Sequence, residues 1–138
     1  MSQVQNQIAL VTGANRGLGK EFVNVLLARG IKKVYAGARD PKSVEVSDSR
    51  IVPIALDVTS PASIEAAASQ LSDVTIVINN AGVAGGGSVL TGDLDAIRAE
   101  LETNYFGPIL VTRAILPAIV ANGGGTILNV HSLLSCSA

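Results

Sequence analysis

Residues 8–19 read IALVTGANRGLG, and this stretch decides the fold class. Its first part, residues 8–11, is a short aliphatic and β-branched run that predicts a buried strand. The glycine-rich part, residues 12–19, leads directly into apolar residues at helical spacing over residues 18–29, which Gly30 closes. A strand, a glycine-rich turn and a helix in this order are typical of α/β proteins.

The rest of the chain repeats this alternation. Ser60 and Pro61 predict a helix start, because serine caps a first turn and proline fits its first position. Pro53 favours an edge position for the strand that contains it. Strands are predicted at 33–36, 51–56, 74–78 and 126–130, and helices from 61 toward 71 and from 93 to about 121. Short apolar strands separated by helices indicate a parallel sheet with helices on both faces.

Composition excludes several classes of protein. The 138 residues fit one domain, and a charged fraction of 15% argues against a disordered chain. Ten basic and eleven acidic residues give a net charge of −1, which favours neither nucleic acid nor an anionic membrane as partner. Cys136 and His131 are single residues of their types, so neither an intrachain disulfide nor a zinc site is expected. Residues 1–7 lack the features of a signal peptide, and we expect a cytoplasmic protein without a membrane span.

Polar or glycine-rich groups follow every predicted strand. Because parallel strands end at one edge of an open sheet, these groups predict a single ligand crevice. They are residues 13–19, 39–40, 57–58, 79–82 and 131–132.

The first group has the spacing G-x-x-x-G-x-G, and it opens a helix whose N-terminus suits a pyrophosphate. Ala14 and Glu21 do not fit the phosphate loop of NTPases. Taken alone, the spacing fits dinucleotide binding or a turn that binds nothing. The four other groups favour binding.

These motifs together resemble the short-chain dehydrogenases/reductases. The resemblance rests on TGANRGLG at 12–19, LDV at 56–58, NNAG at 79–82, Asn104 and NVHS at 129–132. It implies a Rossmann-type, doubly wound, three-layer α/β sheet of strand order 3-2-1-4-5, truncated after the fifth strand. It also implies hydride transfer between a nicotinamide cofactor and a carbonyl or alcohol, with the protein supplying position and electrostatics.

The resemblance further assigns cofactor-binding residues along the crevice. The pyrophosphate and adenosine side would be lined by Gly13, Asn15, Arg16, Gly17, Leu18 and Gly19. The adenine ring would meet Asp57 and Val58, and the ribose and nicotinamide side would meet Asn80, Ala81 and Gly82. Two other interpretations stay open: residues 79–82 also stabilise the sheet, and Asp57 caps the next helix, although Ser60 is better placed for that.

Arg39 bears on the choice of cofactor. An acid near the end of the second strand suits the ribose of NAD, whereas an arginine suits the extra phosphate of NADP. Arg39 can bind a phosphate bidentately, and Arg16 is a second cation nearby. Two observations weaken this preference for NADP: Asp40 follows Arg39 directly, and Arg39 could be a solvated surface residue. The sequence favours NADP(H), with NAD(H) possible.

Ser132 and Asn104 match two members of the family's catalytic set. The resemblance implies that Ser132 hydrogen-bonds the substrate carbonyl, and that Asn104 kinks the long helix and holds a water of the proton relay. Alternatives are a strand-end hydroxyl for Ser132 and a local hydrogen bond within the helix for Asn104. His131 receives no role.

The family's Tyr-x-x-x-Lys pair is absent from these 138 residues, because Arg39 follows Tyr35 and Ile109 follows Tyr105 at that spacing. We therefore expect the cofactor half of such an enzyme, inactive by itself; the alternative is a non-catalytic dinucleotide-binding or interaction module. A homo-oligomer is also expected, since the last strand would be an open edge. The competing outcome is a monomer whose residues 135–138 cover that edge.

Overall fold

The computed structural model describes residues 4–132, and its centre is a five-stranded parallel sheet. The strands lie in the order β3-β2-β1-β4-β5, which confirms the predicted fold class and topology. Their bounds are within two residues of the predictions: β1 (Ile8–Thr12), β2 (Lys33–Ala38), β3 (Ile51–Ala55), β4 (Ile76–Asn79) and β5 (Thr126–Asn129).

Four helices connect the strands: α1 (Gly17–Ala28), α2 (Pro61–Ala68), α3 (Leu94–Leu101) and α4 (Gly107–Ala121). A π-helical turn, Glu102–Phe106, joins α3 to α4 and makes one continuous helix, while a 3₁₀ turn, Pro41–Ser43, follows β2.

One predicted boundary is wrong, because α2 ends at Ala68 and does not reach Leu71. The N–H groups of Gln70 and Leu71 bond three residues back, to the carbonyls of Ala67 and Ala68. This tighter turn ends the α-helix and points Leu71 into the core, where it is fully buried.

Helices cover both faces of the sheet. All five residues of β1 are buried, and they alternate between two cores. Ala9 and Val11 pack in the core that contains α1, whereas Leu10 lies in the core that contains Ile64 of α2 and Ile115 of α4. Because both faces are covered, a ligand can reach the sheet at the carboxyl ends of its strands.

The two edge strands differ in their environment. β3 pairs with β2, and its Pro53 sits in the edge strand as expected, opposite Ala36. All four residues of β5 are exposed, including Ile127 and Leu128. Thus β5 is the uncovered side of this sheet in the part of the chain that the structure describes.

Within residues 4–132, one helix is long and apolar enough to cross a membrane by length and composition alone. It spans Leu94–Ala121, with 28 residues, and an 18-residue stretch within it has a mean hydropathy of 1.3. Its second half buries Val111, Ile115 and Ile119 in the core beside the sheet. This one-sided burial is typical of the core helix of an α/β domain.

Candidate cofactor-binding site

The carboxyl ends of β1, β2, β3 and β4 border a crevice of about 950 Å³. The prediction that the groups after all five strands share one crevice is wrong for residues 131–132, which do not line it. Ten of the twelve residues predicted to bind the cofactor line it, and their roles in binding stay predictions. They are Gly13, Asn15, Arg16, Gly17, Arg39, Asp57, Val58, Asn80, Ala81 and Gly82. Leu18 and Gly19 do not line it; they lie in the first turn of α1, where Leu18 is exposed and Gly19 is buried.

The first turn of α1 has the features of an anion site. Gly13 and Gly17 have positive φ angles of 65° and 53°, which glycine adopts readily. In residues 4–132, the backbone N–H groups of Gly17, Leu18 and Gly19 have no hydrogen-bond partner. A helix N-terminus with free N–H groups favours a phosphate.

Gly19 serves packing as well. A Cβ there would lie 2.1 Å from the Gly13 carbonyl oxygen and 2.5 Å from Nδ2 of Asn80. The absence of a side chain therefore allows α1 to approach the ends of β1 and β4. This close approach explains why Gly19 is buried and does not line the crevice.

Thr12 joins β1 to the segment after β4, a role that the sequence did not predict. Its side chain is buried, and its Oγ1 accepts hydrogen bonds from the backbone N–H of Asn80 at 3.0 Å and of Ala81 at 2.9 Å. Asn80 Nδ2 donates in return to the carbonyls of Thr12 and Gly13. These bonds confirm the interpretation that residues 79–82 help to stabilise the sheet. The sequence feature that could have indicated this role is a hydroxyl side chain at the last position of a buried strand.

Asp57 and Ser60 divide two tasks between them. Ser60 caps α2, since its Oγ accepts from the Ser63 N–H at 3.2 Å, as the sequence indicated. Asp57 Oδ1 accepts from Thr59, from Oγ1 at 2.7 Å and from the backbone N–H at 2.9 Å. These bonds, together with the positive charge of Arg39, lower the pKa of Asp57. Asp57 therefore presents a carboxylate to the crevice.

The two charged residues after β2 are in different situations. The Asp40 Oδ1 accepts from the Lys42 N–H at 3.0 Å and so caps the 3₁₀ turn. Arg39 is exposed in the crevice lining and makes no ion pair within residues 4–132. The arginine is thus the more available of the two for a ligand.

Asn104 lies in the π-helical turn and reaches the segment after β4. Its Nδ2 donates to the Val83 carbonyl at 2.7 Å, and its Oδ1 accepts from the Val83 N–H at 2.9 Å. The alternative of a local bond within the helix is therefore wrong, because the partner is 21 residues away. The proposed role in a proton relay stays a prediction.

Ser132 follows β5 and is exposed at the same edge of the sheet, outside the crevice lining. Asn79 aligns the ends of β4 and β5: its Nδ2 donates to Asn129 Oδ1 at 2.8 Å and to Thr112 Oγ1 at 3.2 Å. Cys136 and the segment 135–138 lie outside the described residues.

The family model for short chain dehydrogenases matches residues 7–137. The chain belongs to this family. Dehydrogenase/reductase SDR family member 7B of Bos taurus is 32% identical over 94% of this chain and 45% of the relative. An uncharacterised oxidoreductase of Bacillus subtilis (strain 168) is 39% identical over 94% of this chain and 50% of its own length. The short-chain dehydrogenase chain thus spans about half the length of these curated relatives.

Solved structures of similar enzymes superpose on most of this chain. A short-chain dehydrogenase from Burkholderia cenocepacia J2315, in complex with NADP, matches with a TM-score of 0.94 and 44% identity, over 99% of this chain and 57% of that one. An NADPH-bound carbonyl reductase from chicken fatty liver matches with a TM-score of 0.76 and 35% identity, over 83% and 52% of the two chains.

Proposed function

We propose that these residues form the NADP(H)-binding half of an oxidoreductase that transfers hydride between a carbonyl and an alcohol. The observation that carries the proposal is the crevice, which combines the free N–H groups of α1 with Arg39 on one side and residues 80–82 on the other. The NADP complexes of two similar structures support the choice of ligand.

The strand order orients the dinucleotide in this crevice. β2 and β3 lie on one side of β1, and β4 and β5 on the other. Arg39 and Asp57 would therefore hold the adenosine half, the first turn of α1 the pyrophosphate, and residues 80–83 the nicotinamide half. The bound dinucleotide would supply the hydride chemistry, and the chain supplies position and charge.

Arg39 would select NADP(H), because Asp40 is occupied as a cap and the arginine is exposed to the ligand. Arg39→Asp should weaken NADPH binding by about 10- to 100-fold, the effect of losing charge-assisted hydrogen bonds, and NADH binding by less than about 3-fold. Titration of both cofactors by nicotinamide fluorescence measures this.

The matched control is Lys42→Asp, which makes the same charge change three residues away and outside the crevice lining. It separates a direct contact from a general change in potential. An equal loss of both cofactors in Arg39→Asp, or an equal effect of Lys42→Asp, would refute the assignment.

We further propose that the 138-residue chain alone is not a working reductase. Ser132 can polarise a carbonyl, but the sequence holds no Tyr-x-x-x-Lys to deliver a proton, a step worth about 10²- to 10⁴-fold. NADPH oxidation with a panel of aldehydes and ketones tests this, and turnover near ~10 s⁻¹ would contradict it. The same absence supports the second candidate, a dinucleotide-binding module without catalysis.

Self-association is the remaining part of the proposal. The edge strand β5 is exposed throughout, and α4 shows Leu116 and Val120 to solvent at 43% and 66%. No proline or lysine within β5 blocks pairing with another strand. These two surfaces favour a homo-oligomer over an isolated chain.

A further inference from the structure

The segment that connects β4 to α3, residues 82–92, has almost no apolar anchorage. Gly86 is the single buried residue between positions 82 and 91. Val89 and Leu90 at its tip are 88% and 93% exposed. Since glycine-rich backbone is costly to order, hydrogen bonds must hold most of this segment in place.

Glu100 of α3 supplies two of these bonds. Its Oε1 accepts from the backbone N–H groups of Gly85 and Gly86, the latter at 2.7 Å. These bonds, from Gly86 first and then Gly85, lower the pKa of the carboxyl group. Glu100 makes no ion pair in residues 4–132, and its carboxylate contacts segment 82–92.

The segment is shaped to receive this carboxylate. A Cβ at Gly86 would lie 2.9 Å from Cγ1 of Ile97 and 3.2 Å from Oε2 of Glu100. A side chain there would therefore push the backbone away from α3. Glycine at this position allows the N–H groups to reach the carboxylate.

The contact extends to the wall of the crevice. Asn104 holds Val83 about one helical turn after Glu100 holds Gly85 and Gly86. Gly82 and Val83 line the crevice, together with Ala99 and Thr103 of the same continuous helix. Fixing residues 85–86 therefore fixes the lining that precedes them.

We propose that Glu100 is a positioning residue that holds segment 82–92 as the crevice wall on the nicotinamide side. The inference rests on the proposed function for the identity of the ligand. The contact between Glu100 and residues 85–86 is independent of the ligand's identity. Glu100 acts through the segment and need not touch the ligand.

Hydrogen–deuterium exchange of the 138-residue chain, without ligand, tests the contact. Glu100→Ala should speed exchange of residues 83–92 by about 10-fold or more, the effect of losing hydrogen bonds to a charged acceptor. Glu100→Gln keeps an acceptor oxygen and should give an intermediate rate. Asp95→Asn on the same helix is the control, because Asp95 is exposed and, within residues 4–132, forms its ion pair with Arg98 and no bond to segment 82–92. Unchanged exchange in Glu100→Ala would overturn the proposal.

A comparison of two ligands tests the position of the wall. NADPH spans the crevice, whereas adenosine 2′,5′-bisphosphate occupies only its adenosine side. Glu100→Ala should weaken NADPH about 5- to 10-fold, roughly one lost hydrogen bond, and leave the bisphosphate within about 2-fold. Glu100→Gln should partly restore NADPH affinity.

Equal weakening of both ligands would show a general loss of structure and overturn the assigned side. A wild-type chain that binds neither ligand would refute the proposed function and the nicotinamide-side role with it. The exchange measurement would still decide whether Glu100 holds the segment, so the two failures are distinguishable.

Discussion

Thr12 offers a sharp test of how the crevice is assembled. Thr12→Val keeps the shape of the side chain but removes the oxygen that accepts from the N–H groups of Asn80 and Ala81. Thr12 is 1% exposed, so water reaches the lost acceptor position poorly. Each unpaired, partly buried N–H costs about 1–2 kcal/mol, and we expect the free energy of unfolding to fall by about 2–4 kcal/mol.

Such a loss is large against the ~5–15 kcal/mol of a typical domain. Urea unfolding followed by circular dichroism measures it, with a lower midpoint and an unchanged slope expected. The melting temperature should fall by roughly 6–15 °C. NADPH affinity should fall too, because residues 80–82 lose their attachment to β1.

Thr12→Ser is the matched control, since it keeps the hydroxyl and removes one buried methyl group. It should cost only about 1 kcal/mol. If Thr12→Val were as stable as the wild type within about 0.5 kcal/mol, the hydroxyl would not be holding the two strands together, and the reasoning would be wrong.

Two further predictions concern packing and assembly. Gly19→Ala should lower the free energy of unfolding by roughly 3 kcal/mol or more, because the added Cβ would lie 2.1 Å from the Gly13 carbonyl oxygen. Gly17→Ala should lower it by about 1 kcal/mol, because its φ is positive but its surroundings are open. Urea unfolding measures both variants, and the reverse order of the two losses would contradict the packing argument. Size-exclusion chromatography with light scattering should show species above the 14.1 kDa monomer, and Ile127→Lys in the open edge of β5 should shift them toward monomer. A monomer at every concentration would refute self-association.

The order of elements could be predicted from the sequence because the inner strands are buried on both faces. Such strands read as unbroken apolar runs, as in residues 8–11, and the glycine-rich turn after β1 marks the first crossover. The end of α2 could not be predicted in this way. Its apolar pattern continues to Leu71, but a tighter turn carries that residue into the core.

The site was predictable where local motifs form it and not where distant residues meet. Arg39 and residues 80–82 follow strands directly, so their place at one edge follows from the topology. The bonds of Thr12 join positions 68 and 69 residues apart, and those of Glu100 join positions 14 and 15 apart. Nothing in the local sequence pattern near Glu100 distinguishes it from a solvated glutamate of an amphipathic helix.

The crevice and Ser132 follow different parts of the sheet. The side proposed to bind adenosine follows β2 and β3, where Asp40 caps the 3₁₀ turn and Ser60 caps α2. Ser132 follows β5, whose four residues are exposed and whose Asn129 Oδ1 accepts a hydrogen bond from Asn79 Nδ2 of β4. Exposed edge strands open locally more readily than the buried strands of a core. We therefore expect dinucleotide binding, which uses residues after β1 to β4, to tolerate local opening of β5.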